Sequence, residues 1–181
     1  MVSLVMETMN LPPRTIMEVF KMLPEGTLAE LIDGNLYMSP SPTANHQSIV
    51  LGLASTINDF VESQNLGKVF IAPFDVFLDE LANAVQPDIL FVAQERLSIV
   101  KPDAVHGVPD LIIEVLSPGN PKYDLIGKKD LYEHFRVKEY WVIDPDTKQS
   151  TGFFLDGNTY GPAVSNQARI ISRTLHQAFS Y

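Results

Sequence analysis

Apolar positions along the chain switch between a helical period near 3.6 and a strand period of 2, and each switch marks an element boundary. Ile16, Met17, Val19, Phe20 and Leu23 recur at helical spacing over 14–23, and Pro24-Glu25-Gly26 closes that run. Two strand-like runs, Leu28–Ile32 and Leu36–Met38, flank Asp33-Gly34-Asn35, which predicts an N-terminal hairpin. Beyond the breaker Ser39-Pro40-Ser41-Pro42-Thr43, Ile49, Leu53, Ile57, Phe60 and Val61 share one face from Ala44 to Gln64, the longest helix expected. Val69–Phe70, Val76–Leu78, Ile89–Val92 and Leu111–Leu116 then read as strands of one sheet. Asn120-Pro121 has the form of a cap followed by a first-turn proline and leads a helix to about Phe135. Glu139–Asp144 is a further strand. Thr151–Leu155 and Ala168–Ser172, around Asp156-Gly157-Asn158, read as a peripheral C-terminal hairpin.

This order predicts an α/β fold: a central mixed sheet flanked by helices, in a single domain over 1–181 with its core at about 28–145. A chain of 181 residues can bury roughly 70% of its unfolded surface in one core. No apolar stretch approaches the ~20 residues of a membrane span. Met1–Glu7 lacks the basic and long apolar regions of a secretion signal, so a cytoplasmic location is expected. The balance of 13 basic against 22 acidic residues, a net charge of -9, argues against a general nucleic-acid coat protein. The stretch 122–138 departs from this, with Lys122, Lys128, Lys129, Arg136 and Lys138 against Asp124, Asp130 and Glu133. The absence of cysteine excludes thiolate nucleophiles and cysteine-ligated zinc, and His46, His106, His134 and His176 show no metal-ligand spacing.

Chemistry enters with Glu114, placed inside the apolar run from Val108 to Pro118. An ionised carboxylate there needs a cation or hydrogen-bond donors to offset its desolvation. Asp110 points to the same strand face but lies four residues away, ~13 Å at ~3.3 Å per residue, too far to share one ion. It reads as a turn cap. Asp88, on another strand, lies beside Glu114 if the two strands are neighbours, and such a pair suits Mg²⁺. On the following helix, Leu125, Lys128, Leu131, Tyr132 and Phe135 form one stripe, so Lys128 faces inward and Lys129 lies nearer the edge.

Through these residues the chain resembles the Uma-two group of restriction endonuclease-like proteins, within the PD-(D/E)XK nuclease superfamily. The resemblance runs from about Glu30 to Pro145 and rests on the ordered elements Pro87-Asp88, Glu114-Val115-Leu116-Ser117, Lys128 with Tyr132, and Glu139-Tyr140-Trp141. It implies a restriction endonuclease-like fold and hydrolysis of phosphodiester bonds in DNA. Asp88 and Glu114 match the metal-binding carboxylates, with Mg²⁺ as cofactor and Mn²⁺ as a possible substitute. Leu116 stands where the superfamily places its lysine, and Lys128 matches the lysine that this group presents from the next helix. Glu30 and His46 match recurrent positions: Glu30 as a further catalytic group, His46 as an accessory one with Tyr132 and Lys129. A glycine commonly precedes Val137 in the group, where this chain has Arg136. By analogy with nucleases that cut both strands, a homodimer is expected.

Each of these residues also has a plainer reading. Glu114 and Lys128 can form a metal-free ion pair, Asp88 can cap a turn, and Glu30 can be a solvated hairpin residue. His46 can simply start a helix, and Lys129 can belong to a solvated face. A catalytically silent binding module and a small-substrate phosphodiesterase therefore stand beside the nuclease. Neither a Gly-Lys-Ser/Thr phosphate loop nor a Gly-x-Ser-x-Gly elbow is present.

Overall fold

The computed structural model describes residues 12–117 and 127–181. The expected helix start at Asn120-Pro121, and Leu125 on its stripe, lie outside the described residues. Thr15 caps α1 (Ile16–Lys21), with its side chain accepting the Glu18 amide. The hairpin β1 (Ala29–Ile32) and β2 (Asn35–Met38) turns through Asp33 at φ 48° and Gly34 at φ 73°, the left-handed pair a two-residue turn requires. Thr43 caps α2 (Ala44–Ser63), accepting the His46 amide.

The remaining strands are β3 (Gly67–Ile71), β4 (Asp75–Phe77), β5 (Ala84–Val85), β6 (Ile89–Ala93), β7 (Ala104–His106), β8 (Leu111–Val115), β9 (Glu139–Ile143), β10 (Gln149–Asp156), β11 (Thr159–Tyr160), β12 (Val164–Gln167), β13 (Arg169–Ser172) and β14 (Gln177–Ser180). The helix α3 covers Lys128–His134. The main sheet runs β11-β10-β9-β8-β6-β3, with β12 also paired to β10, and β8 and β9 are its parallel pair.

Two expectations change here. Val76–Leu78 does not join the main sheet: β4 sits in a second sheet, β2-β1-β5-β4-β7, which absorbs the N-terminal hairpin. The C-terminal hairpin is not peripheral, because β10 pairs along β9, while its partners past Asp156-Gly157-Asn158 are β11 and β12. Arg169–Ser172 pairs instead with β14.

Strand alternation sorts the main sheet into two buried faces. Ile89, Phe91, Leu111, Ile113, Trp141 and Ile143 pack with α2 residues such as Leu53 and Ile57 and with Ile170 and Phe179 of the β13–β14 hairpin. Leu90, Val92, Ile112, Tyr140 and Val142 pack with Leu131 and Tyr132 of α3 and with Ile32, Val76 and Val105 of the second sheet. On the outer side of that sheet, Ala29 and Leu31 meet Met17 and Phe20 of α1. β1 thus sends its odd positions to α1, while Ile32, and with it Glu30, faces the main sheet.

Asp110 is not a simple turn cap. It is fully buried, accepts the Ala93 amide at 2.9 Å, and pairs with Arg96 and Lys138 at 2.7 Å each.

Arg136 explains the departure from glycine before Val137. It lies at φ 61°, just past α3, where the Val137 amide bonds the Tyr132 carbonyl at 2.9 Å and the Arg136 amide bonds the Glu133 carbonyl at 3.0 Å. This is the double bond pattern of a helix end closed by a left-handed residue, a position that favours glycine. A Cβ there costs about 1–2 kcal/mol, against about 0.5–1 kcal/mol for glycine's extra unfolded-state freedom. Arg136→Gly is therefore expected to raise stability by about 0.5–1 kcal/mol. A urea midpoint at or below that of the parent would contradict this account.

Candidate active site

The register of β6 and β8 brings the first two carboxylates together. Ile89 stands opposite Ile113 in this antiparallel pair, and one further step sets Asp88 opposite Glu114. Glu114 shares its strand face with Ile112 and so points toward the second sheet and α3. Asp88 Oδ2 accepts the amide of Val115 at 2.7 Å and lies 3.2 Å from His46 Nε2. The backbone that carries Glu114 therefore also anchors Asp88. His46, buried in the first turn of α2, is held against Asp88 from the other side of the sheet end.

Opposite this pair, β1 supplies Glu30 and α3 supplies Lys128. Glu30 is 6% exposed, which removes its reading as a solvated hairpin residue. Lys128 Nζ lies 3.0 Å from both Glu114 Oε1 and Glu30 Oε1, with all three side chains buried. One ammonium is thus shared by two carboxylates drawn from different sheets, and its single charge offsets one of their two. The Tyr132 hydroxyl donates to the same Glu114 oxygen at 2.7 Å. Burial pushes the Tyr132 hydroxyl far up in pKa, and Glu114 and Glu30 push it further, so it stays protonated at neutral pH.

Gln86 was not singled out by its sequence context. Its amide donates to Glu30 Oε1 at 3.0 Å, and its side chain is tied to the Thr27 carbonyl and to Asp75. Burial raises the Asp75 carboxyl despite the Gln86 bond that opposes it. A backbone donor has no side-chain signature, although its place just before Pro87-Asp88 marked the segment.

These groups line a cleft of about 570 Å³ whose walls include Glu30, Tyr37, His46, Asp88, Glu114 and Lys128. Tyr132 supports the floor from the buried side. Lys129 lies apart from the cleft, paired with Asp130 and Glu133 at 3.2 and 3.1 Å. Among the described residues, no three or more histidine, aspartate or glutamate side chains gather as a metal cage. Mg²⁺ does not require one, since it commonly takes one or two carboxylates and completes its shell with water and phosphate. Asp88 and Glu114 offer hard oxygen donors of that kind on one cleft wall, so the donor set fits such an ion.

A mixed sheet with helices packed on it and a cleft at one end is the architecture of a restriction endonuclease-like fold. The family model Uma2, described as "Putative restriction endonuclease", matches residues 17–180. The chain belongs to that family, and the match is wider than the stretch from Glu30 to Pro145 that carried the resemblance. Among solved structures, it is similar to a protein from Anabaena variabilis ATCC 29413 described as "a putative nuclease belonging to DUF820". The TM-score is 0.74 at 20% identity, covering 91% of this chain and 92% of that one. No curated protein matches the chain. Among the described residues, no helix is long and apolar enough to cross a membrane.

Proposed function

We propose that this protein is a metal-dependent endonuclease that hydrolyses phosphodiester bonds in DNA, with Asp88 and Glu114 as metal ligands and Lys128 as the catalytic cation. The observation that carries this reading is the facing register of Asp88 and Glu114, with Lys128 Nζ 3.0 Å from Glu114 at the cleft wall. Membership of the Uma2 family supports a nuclease. Bound to Asp88 and Glu114, Mg²⁺ or Mn²⁺ would polarise the phosphate and lower the pKa of water.

The remaining roles follow from the chain's own groups. Lys128 presents a fixed positive charge where negative charge grows on the phosphate, at no reorganisation cost during reaction. Tyr132 and Lys128 together hold one oxygen of Glu114, which turns its carboxylate in one direction. The Gln86 amide does the same for Glu30, and His46 steadies Asp88. In the reaction, water oxygen bonds to phosphorus, the phosphorus–oxygen bond to the leaving strand breaks, and that oxygen gains a proton. Cutting both strands of a duplex takes two such sites, which is the reason for proposing a homodimer.

A second reading has its own support: Lys128 sits between Glu114 and Glu30 as a metal-free ion pair would require. In that case the chain is a silent nuclease fold that binds a partner. Calorimetric titration with Mn²⁺ separates the two. Saturable heat is expected for the wild type and none for Asp88→Ala, with plasmid cleavage lost in Glu114→Ala. No saturable binding by the wild type, or cleavage that persists in Glu114→Ala, overturns the nuclease reading.

A further inference from the structure

The cleft carries an aromatic side chain that the chemistry above does not use. Tyr37 stands directly opposite Glu30 in the β1–β2 register. Cross-strand partners project from the same face with Cβ atoms about 4.5–5.5 Å apart. Tyr37 therefore rises beside the Glu30–Lys128–Glu114 group, lines the cleft, and keeps 38% of its surface exposed. Met38, Pro40, Pro42 and Pro73 also line the cleft, so apolar surface accompanies its charged groups. Among the described residues that line the cleft, Lys128 is the one lysine or arginine, and two carboxylates already face it.

This distribution favours one kind of nucleic acid. Closed duplexes are held mainly by cationic contacts to phosphates, and the chain as a whole is acidic. Unpaired strands offer the faces of their bases, which stack on aromatic side chains whatever the sequence. We propose that the cleft takes one unpaired nucleotide, its base stacked on Tyr37 and its phosphate directed to Lys128 and to the cation that Asp88 and Glu114 would hold. The substrate is then a single strand or an unpaired segment, which one site cuts alone, so this inference does not require the homodimer that duplex cutting would. This inference rests on the nuclease reading for the fate of the phosphate, but the stacking itself is measurable without hydrolysis.

The test is fluorescence anisotropy with short labelled single-stranded DNA, RNA of the same sequence, and a fully paired DNA hairpin. It is run on the wild type, Tyr37→Ala and Tyr37→Trp, in EDTA and in Ca²⁺, a hard cation that takes oxygen ligands. A strand is expected to bind at least about tenfold tighter than the hairpin, with a loss of about 5- to 100-fold in Tyr37→Ala and retention in Tyr37→Trp. The DNA and RNA arms identify which strand is preferred. Equal binding of strand and duplex, or an unchanged Tyr37→Ala, overturns the inference. Strand binding that depends on Tyr37 without any metal-dependent cleavage removes only the nuclease reading. Cleavage of strand and duplex alike, by wild type and Tyr37→Ala alike, removes only the stacking. Because Tyr37 is part-exposed, matched circular dichroism and urea midpoints of the variants guard against a folding defect.

Discussion

Lys128→Met is expected to lower stability by about 3–5 kcal/mol at neutral pH, because it leaves two buried carboxylates without their shared cation. Glu30 and Glu114 approach the same ammonium at 3.0 Å from different sheets and are only 6% and 5% exposed, so the little water that reaches them from the cleft cannot replace it. The Gln86 amide and the Tyr132 hydroxyl still donate to them, but neutral donors do not cancel the repulsion between two charges. Adding Glu30→Gln and Glu114→Gln to Lys128→Met removes those charges and is expected to return most of the loss, since replacing a whole buried ion set is often close to neutral. Urea unfolding of the single and triple variants measures both quantities. A single variant as stable as the wild type would mean that Lys128 is not the counter-ion of the pair. A triple variant as unstable as the single one would assign the loss to packing of the lysine stem. Under the nuclease reading, both variants lack cleavage activity.

That contrast also marks what the sequence could and could not convey. Lys128 was legible because a 3.6-residue stripe of apolar neighbours carried it inward, and a lysine on such a stripe requires an anion. The pairing of Asp88 with Glu114 was legible as a condition: both lie on strand-like runs, and the condition was that those strands be neighbours. The register supplies it. Tyr37 could have been found by the same reasoning. A two-residue turn at Asp33-Gly34 fixes Ile32 opposite Asn35, and counting back sets Glu30 opposite Tyr37.

Other features had no local signature. Periodicity says that Val76–Leu78 is extended, but not which of two stacked sheets it joins, because both bury apolar faces against each other. The same ambiguity moved Arg169–Ser172 from β10 to β14. Glu139, inside the Glu139-Tyr140-Trp141 element, is fully buried and accepts from Trp141, Ser172 and the Thr174 amide. These donors come from positions more than thirty residues apart along the chain, apart from Trp141 itself. Arg136 was visible as an irregularity, and its φ of 61° shows it to be backbone geometry in origin.

Asp110 leads to the second large effect. Asp110→Ala is expected to cost about 3 kcal/mol at neutral pH, since it strands the part-buried Ala93 amide and removes the anion facing Arg96 and Lys138. The loss stays below the extreme for a buried pair because both cations are part-exposed and can return to water: Arg96 keeps 32% of its side chain in solvent and Lys138 56%. The pH dependence has a definite sign. Burial alone pushes the Asp110 carboxyl up, but the Ala93 amide, Lys138 and Arg96 outweigh it and hold it below the ordinary carboxylate range. A group whose folded pKa is depressed stabilises the fold above its unfolded pKa, about 3.9 for aspartate, and loses that contribution as pH falls toward the folded value. The gap between wild type and Asp110→Ala should therefore be constant from about pH 5 to 8 and begin to close below about pH 4. Urea midpoints at pH 7 and pH 3 measure it. A gap that widens on acidification would mean that the folded state holds Asp110 protonated. Because Asp110 lies at the far end of β8 from Glu114, ~13 Å along the strand, its loss should also leave Mn²⁺ binding intact once the variant is folded.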